Sequence, residues 1–229
     1  MSLRRRDLVA TIFALTVAAL FVRLGVWQLH RLNDRKAQNA ETQAARAEAP
    51  VDLPQHRFAP DALRDRRAHA RGSYDYAHQR VWIGRTYDDA PGVALLTPLR
   101  LSDGSAVFVD RGWVSSPDAR HVDATQYGEG DSADVTGLLL PAPRERGDVN
   151  PAVLRDSLPY PIIGVVLLLD DTATPHPAGL RRWRTPALDN GAHLSYAIQW
   201  FAFALIAVVG TVALLRKSVA SRRVAESTQ

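Results

Sequence analysis

Apolar residues crowd two long stretches near the ends of the chain, and between them hydrophobic and polar positions alternate. The first stretch, residues 8–22, is broken only by Thr11 and Thr16; Arg23 interrupts it, and residues 24–29 resume it with Trp27 and Gln28. The part up to Val22 would rise only about 22 Å as a helix, whereas the stretch to Leu29 reaches about 33 Å, enough for a bilayer core. The second stretch, residues 194–215, carries no charge at all. Each has a basic flank on its outer side in the sequence: Arg4, Arg5 and Arg6 before the first, and Arg216, Lys217, Arg222 and Arg223 after the second. Basic clusters stay on the cytoplasmic side, so both termini are expected there and the middle of the chain outside.

A cleaved signal peptide shares the basic start and apolar centre of the first stretch. The lack of a convincing A-x-A cleavage site, and Trp27 placed like an interface anchor, favour a retained helix. Ala10, Ala14 and Ala18 recur every four residues, with Ala197, Ala204, Ala207 and Gly210 as counterparts on the second helix. Such spacing lets two membrane helices approach closely, although alanine is also simply common in them.

Residues 33–49 are polar and alanine-rich, a helical stalk that Pro50, Pro54 and Pro60 bring to an end. Strand patterns follow at 68–76, 79–87, 93–101, 105–114, 135–140 and 162–170. The first two read as a hairpin, and Asp103-Gly104 marks a tight turn between the next pair. Short helices are expected near 60–63 and 116–121, and residues 141–161 read as a long irregular connection. The expected fold is therefore a membrane α hairpin of two transmembrane helices, plus a mainly antiparallel β (α+β) extracytoplasmic domain. Its divisions are a cytoplasmic N-terminus at 1–7, helix one at 8–29, the outer domain with its stalk at 30–192, helix two at 193–215 and a tail at 216–229.

Composition narrows the function. The 229 residues carry 28 Lys and Arg against 24 Asp and Glu, a net charge of +4, and much of the excess flanks the membrane stretches. The charge thus reads as topology, and no nucleic-acid motif accompanies it. Without cysteine there is no disulfide framework, thiolate metal site or cysteine nucleophile. No G-x-S-x-G, H-E-x-x-H, G-x-G-x-x-G or Walker-type run occurs. Ser115, Ser116, His121 and Asp123 lie close in sequence and would serve a hydrolase only if their side chains converged; otherwise they form a polar loop after a strand.

None of the seven histidines makes a metal-spaced pair. His30 and His193 differ from the rest in standing at the outer ends of the two helices. His193, Tyr196, Trp200 and Phe203 follow one another along one stripe of helix two. An imidazole beside aromatic rings at membrane depth can hold a haem, the histidine as axial ligand and the rings against the macrocycle. The same residues also satisfy a plainer reading, a histidine capping the helix start above an interface belt of aromatics.

Four blocks together resemble the surfeit-locus proteins, which assist assembly of cytochrome c oxidase. They are residues 25–32 (GVWQLHRL) with Lys36; Gly72-Ser73-Tyr74 with Gly84-Arg85; Pro91-Gly92, Leu96-Thr97-Pro98-Leu99, Gly104 and Val109-Asp110-Arg111-Gly112-Trp113-Val114; and Asn190, His193-Leu194-Ser195-Tyr196-Ala197 and Gln199-Trp200. The chain departs from the family pattern at Asp110, where asparagine is usual, and at His30, for which the resemblance implies no ligand role. The resemblance implies a multi-pass protein of the cell's inner membrane. It implies an assembly factor, not an enzyme, that handles haem a between the haem a synthase and the catalytic oxidase subunit. His193 would be the ligand to the haem iron, with Tyr196, Gln199 and Trp200 lining the site and Gln199 partnering Gln28 or Arg23. Arg111 is open to two readings, a partner for a haem propionate or part of a bulge that packs Trp113 into the core. A scaffold that holds oxidase subunits without touching haem is the alternative function, and a membrane-tethered hydrolase a further one.

Overall fold

Two long helices bracket the chain. α1 spans Arg5–Ala47 and α2 spans His193–Ser227. A computed structural model describes residues 5–54, 59–143, 157–171 and 176–227. It divides into a helical unit, up to residue 40 and from 188 onward, and a β unit at 41–187. Both helices are long and apolar enough to cross a membrane, and only 11% and 6% of their most apolar windows are buried. A core helix of a soluble protein would bury that surface; here Phe13, Ile198, Leu205 and Ile206 are exposed. The chain is a membrane protein.

The helices of this unit run antiparallel. Ser218 Oγ donates to Asp7 at one end, and Asn39 Nδ2 donates to Asn190 Oδ1 at the other. The contact line differs from the expected alanine stripe. Ala18, Gly25 and Leu32, one heptad apart, are the buried residues of α1, whereas Ala10 is exposed. Facing them, Ala197 and Ala204 are buried and Gly210 has open space around it. An i+4 row drifts around a helix, while a heptad row stays in the seam of a left-handed pair. Gly25 is where the helices come nearest: a Cβ there would lie 2.7 Å from the Phe201 ring. The helical stalk read from the sequence is continuous with the membrane stretch, and the helix ends at Ala47, before Pro50.

The β unit is an 8-stranded sheet that closes on itself. Its strands are β1 (Val51–Leu53), β2 (Arg67–Tyr74), β3 (Arg80–Tyr87), β4 (Ala90–Arg100), β5 (Ala106–Ser115), β6 (Ser132–Pro141), β7 (Ile162–Leu168) and β8 (Leu180–Arg181). The order β2-β6-β7-β5-β4 returns to β2 through Ser73↔Arg100 and Tyr74↔Leu99, making a barrel. β1 lies parallel on β2, β3 antiparallel on β4 and β8 antiparallel on β5. The sheet is mainly antiparallel, with parallel pairs at β1–β2 and β5–β7. β5 alternates between two cores: Val107 and Val109 join Leu99, Leu139, Val165 and Leu167, while Ala106 and Phe108 join Leu96 and Val166.

Asp103-Gly104 does make the β4–β5 hairpin, Gly104 at φ 84 and Asp103 Oδ1 accepting from Ser105 N at 2.9 Å. The expected hairpin of the first two strands does not exist. β2 pairs with β6 and β3 with β4; the one apolar face of β2, Ala68, Ala70 and Tyr74, is buried in the core with Val135 and Leu139 of β6. A 3-10 helix occupies Pro60–Leu63, but residues 116–121 form no helix. The Asp118 carboxylate there accepts from the backbone N–H groups of Arg120 and His121, holding a turn. A 3-10 helix forms instead at Ala124–Tyr127, capped by Asp123. His56 and most of the expected irregular connection, residues 144–156, lie outside the described residues.

Candidate functional site

α2 begins at a turn built to deliver an imidazole. Asp189 Oδ1 accepts from Gly191 N at 2.9 Å, and Gly191 takes φ +69, which turns the chain into the helix. Asp189 is tied to α1 as well: its carbonyl accepts from Arg35 Nε and Asn39 Nδ2, each at 3.1 Å. His193, the first residue of α2, then points across the pair, its Nδ1 lying 2.9 Å from Gln28 Oε1. An amide oxygen only accepts, so this contact puts a proton on Nδ1, and in the neutral ring Nε2 is then the nitrogen with the lone pair. The ring therefore bonds the neighbouring helix and does not cap its own; the first carbonyl, of Ala192, accepts from Ser195 Oγ and Tyr196 N. Around the Nε2 edge Gly191 leaves room, since a Cβ there would sit 3.4 Å from that nitrogen.

His193 lines a cleft of about 260 Å³ with Arg31, Asp34, Arg35, Gln38, Asp189 and Gly191. Arg31 makes no ion pair among the described residues. Sequence reading missed Gln28 as the partner of His193, and missed Arg31 and Arg35 beside it. The block at 25–32 was visible, but nothing local says that residue 28 faces residue 193.

The other expected residues divide by face. Trp200 lies between the helices, stacked on Phe21 at 5.6 Å and edge-on to Phe203 at 6.0 Å. Tyr196, 49% exposed, and Gln199 face outward on the flank that Phe203 continues. Gln199 makes no hydrogen bond among the described residues; Gln28 bonds His193 in its place. His30 is exposed. No grouping of three or more His, Cys, Asp or Glu suited to a metal ion occurs among the described residues. A lone histidine ligand needs a metal that brings its other ligands with it, as a haem iron does.

Arg111 belongs to the β unit and is 0% exposed. It continues the inward row of Val107 and Val109. Its Nε donates to Thr97 Oγ1 at 2.9 Å, Nη2 to Gln79 Oε1 at 2.6 Å, and Nη1 to Glu129 at 3.0 Å and to the Tyr127 carbonyl. Arg182 holds the other side of Glu129 at 2.5 Å and also donates to the Arg111 carbonyl. Tyr76 and Tyr74 cover the guanidinium, with ring centroids 5.1 and 5.7 Å from Cζ. Opposite Leu96 and Ala94, β5 carries an extra residue between Asp110 and Trp113, so Arg111-Gly112 is a bulge within the strand. Gly112 takes φ +131 there, with Arg181 O 2.3 Å from where a Cβ would be.

Ser116 Oγ lies 2.8 Å from both Asp118 Oδ1 and His121 O, and the His121 ring bonds Asp118 at 2.5 Å. The serine meets a carboxylate and a carbonyl, not the imidazole that would have to take its proton. Ser115 is exposed, and Asp123 is spent on its cap.

The model of the SURF1 family matches residues 15–205. The chain belongs to that family. SURF1 proteins are known generally as cytochrome oxidase assembly factors. An uncharacterized SURF1-like protein of Mycobacterium tuberculosis is 28% identical over 224 residues, covering 89% of this chain and 80% of its own length. One of Mycobacterium bovis gives the same values. The SURF1 match runs from within α1 to within α2, so it takes in the His193–Gln28 contact, the barrel and the Arg111 cluster.

Proposed function

We propose that this SURF1 protein takes up haem a and presents it to the catalytic subunit of cytochrome c oxidase, with His193 Nε2 on the iron. One observation carries the reading: the imidazole at the mouth of the helix pair has its Nδ1 committed to Gln28 Oε1 at 2.9 Å. A second hydrogen bond of this kind fixes the tautomer and orients the free nitrogen, as in ligand histidines generally. The cleft beside it is smaller than the ~300 Å³ at the low end for pockets that enclose a drug-sized ligand. It suits one edge of a macrocycle. Arg31 and Arg35 would take the propionates, their planar forks matching carboxylates. The macrocycle and the tail of haem a would then lie along the outward flank of Tyr196, Gln199 and Phe203, with Trp200 behind it. An open flank favours a cargo handed on, not a cofactor kept.

The basic flanks support a topology with both termini in the cytoplasm and the barrel outside the inner membrane. The haem a synthase is the donor in this scheme and the catalytic subunit the acceptor. The protein holds and orients its cargo and acts as no enzyme. The test is complementation of cells lacking this chain with wild type or His193→Ala, followed by measurement of haem a in the purified oxidase. The variant should yield oxidase depleted of haem a; normal oxidase would instead support a scaffold that never touches haem.

A further inference from the structure

The haem site leaves unused a face of the β unit formed by β3, β8 and the residues after β8. There, arginines alternate with aromatic rings. Arg85 Cζ lies 4.2 Å over the Trp82 ring and 5.2 Å over that of Trp183. Tyr87 follows, its centroid 5.8 Å from Trp183 and 5.6 Å from Trp113. Arg181 Cζ sits 5.7 Å over Tyr87 and 5.9 Å over Trp113.

The charges on this face are met unequally. Arg184, also over Tyr87, is neutralised by Asp88 through two bonds of 3.0 and 3.1 Å. Arg85 and Arg181 have no ion pair among the described residues, and Arg85 Nε is buried without an acceptor. The carboxylate acting on Arg85 is that of Asp110; its Oδ1 accepts from Trp183 Nε1 at 2.8 Å and Gly112 N at 3.1 Å, and among the described residues it makes no hydrogen bond to Arg85.

Aromatic faces attract a guanidinium and hold it flat, but they accept none of its in-plane hydrogen bonds. An arginine so held is a fixed donor that has already lost its rotamer freedom, and an incoming carboxylate gains the full benefit. The two unmet guanidiniums stand on different rungs, separated by the Trp183–Tyr87 step. Two guanidiniums held over different ring pairs call for two acceptors, one on each. Acceptors repeated along a chain would serve both. Among the described residues β3 has a strand neighbour, β4, on one side only, and Ile83 on it is 47% exposed. Trp, Tyr and Arg are the residue types in which binding energy concentrates at protein interfaces.

We propose that this face docks an extended acidic segment of a partner protein, its carboxylates on Arg85 and Arg181. The inference stands apart from the haem reading, which assigns no role to Arg85 or Arg181.

The test uses the full chain in an uncharged detergent and a fluorescein-labelled hexaglutamate peptide, read by fluorescence anisotropy. Saturable binding is expected, with Arg85→Gln and Arg181→Gln each weakening it by about tenfold, the scale of one charge-assisted bond pair. An uncharged Gly-Ser peptide should not bind. Arg181 is exposed, so its variant should melt like wild type and keep the test valid if Arg85→Gln unfolds. Unchanged binding by a folded Arg181→Gln protein, or equal binding of the uncharged peptide, would overturn the proposal. So would displacement of the peptide by inorganic phosphate, or by a short-chain phosphatidylglycerol, at the concentration of glutamate side chains that fills the site; either would mark a small-anion or lipid site.

Discussion

His193 Nδ1 and Gln28 Oε1 lie 2.9 Å apart although 165 residues separate them in the chain. This bond links the start of α2 to α1 and leaves one nitrogen of the imidazole free. Gln28→Ala should cost on the order of 10–100-fold in haem affinity, the usual cost of losing a partner behind a ligand histidine. Titration of the purified variant with haem, followed by its absorption, gives the number. An affinity equal to wild type would mean that Gln28 does not orient the ligand.

Asp110 is predicted to weaken the fold at neutral pH. Its carboxyl is buried beneath Trp183, and burial lifts its pKa from 3.8 to about 6. Below the unfolded value both states hold the proton and the site costs nothing. Above the unfolded value the unfolded chain ionises while the native state keeps its proton, so stability falls until the pH passes the folded value of about 6 and then levels off. A shift of this size corresponds to about 3 kcal/mol. Asp110→Asn keeps an oxygen for Trp183 Nε1 and Gly112 N, and asparagine is usual there in the family that the sequence resembles. The variant should therefore melt higher at pH 7 and equal to wild type near pH 3, as thermal unfolding across pH would show.

Arg111 is held too completely to be replaced. Arg111→Met strands Glu129 against Arg182 alone and leaves Gln79 and Thr97 short of a donor. Breaking a buried pair in this way costs about 3–5 kcal/mol. Arg111→Lys should also lower the melting temperature, since one ammonium cannot reach four acceptors set around a planar fork. A lysine variant as stable as wild type would contradict this account of the cluster.

The helix pair makes its own prediction at Gly25, where any side chain meets the Phe201 ring. Gly25→Leu should push the helices apart at a cost of about 1–3 kcal/mol, the range for overpacking a filled site. Crosslinking between cysteines placed at Ala18 and Ala204 would report the separation, and undiminished crosslinking in the variant would refute close approach at Gly25.

Much of this architecture was legible in the sequence because it is local. Long apolar stretches with basic flanks and the Asp103-Gly104 turn each state their structure in neighbouring residues. Partnership across the chain was not legible. β2 reads as half of a hairpin with β3, yet it pairs with β6, because a strand pattern says which face is apolar and not which strand will cover it. β1 and β8 are too short to show any alternation. The same limit hid the Arg111 cluster, which gathers Gln79, Thr97, Tyr127 and Glu129 from separate segments, and hid Gln28 as the partner of His193. The alanine stripe was read with a helical period, whereas the packed pair follows the heptad of a supercoil.

Binding of the haem a iron by His193 would show in an absorption spectrum. The protein would be purified in mild detergent from cells that make haem a, beside a His193→Ala variant of equal melting temperature. The account predicts a haem a spectrum in the wild type and its loss in the variant. Haem a retained at full occupancy in the variant would remove His193 from the site and contradict the claim.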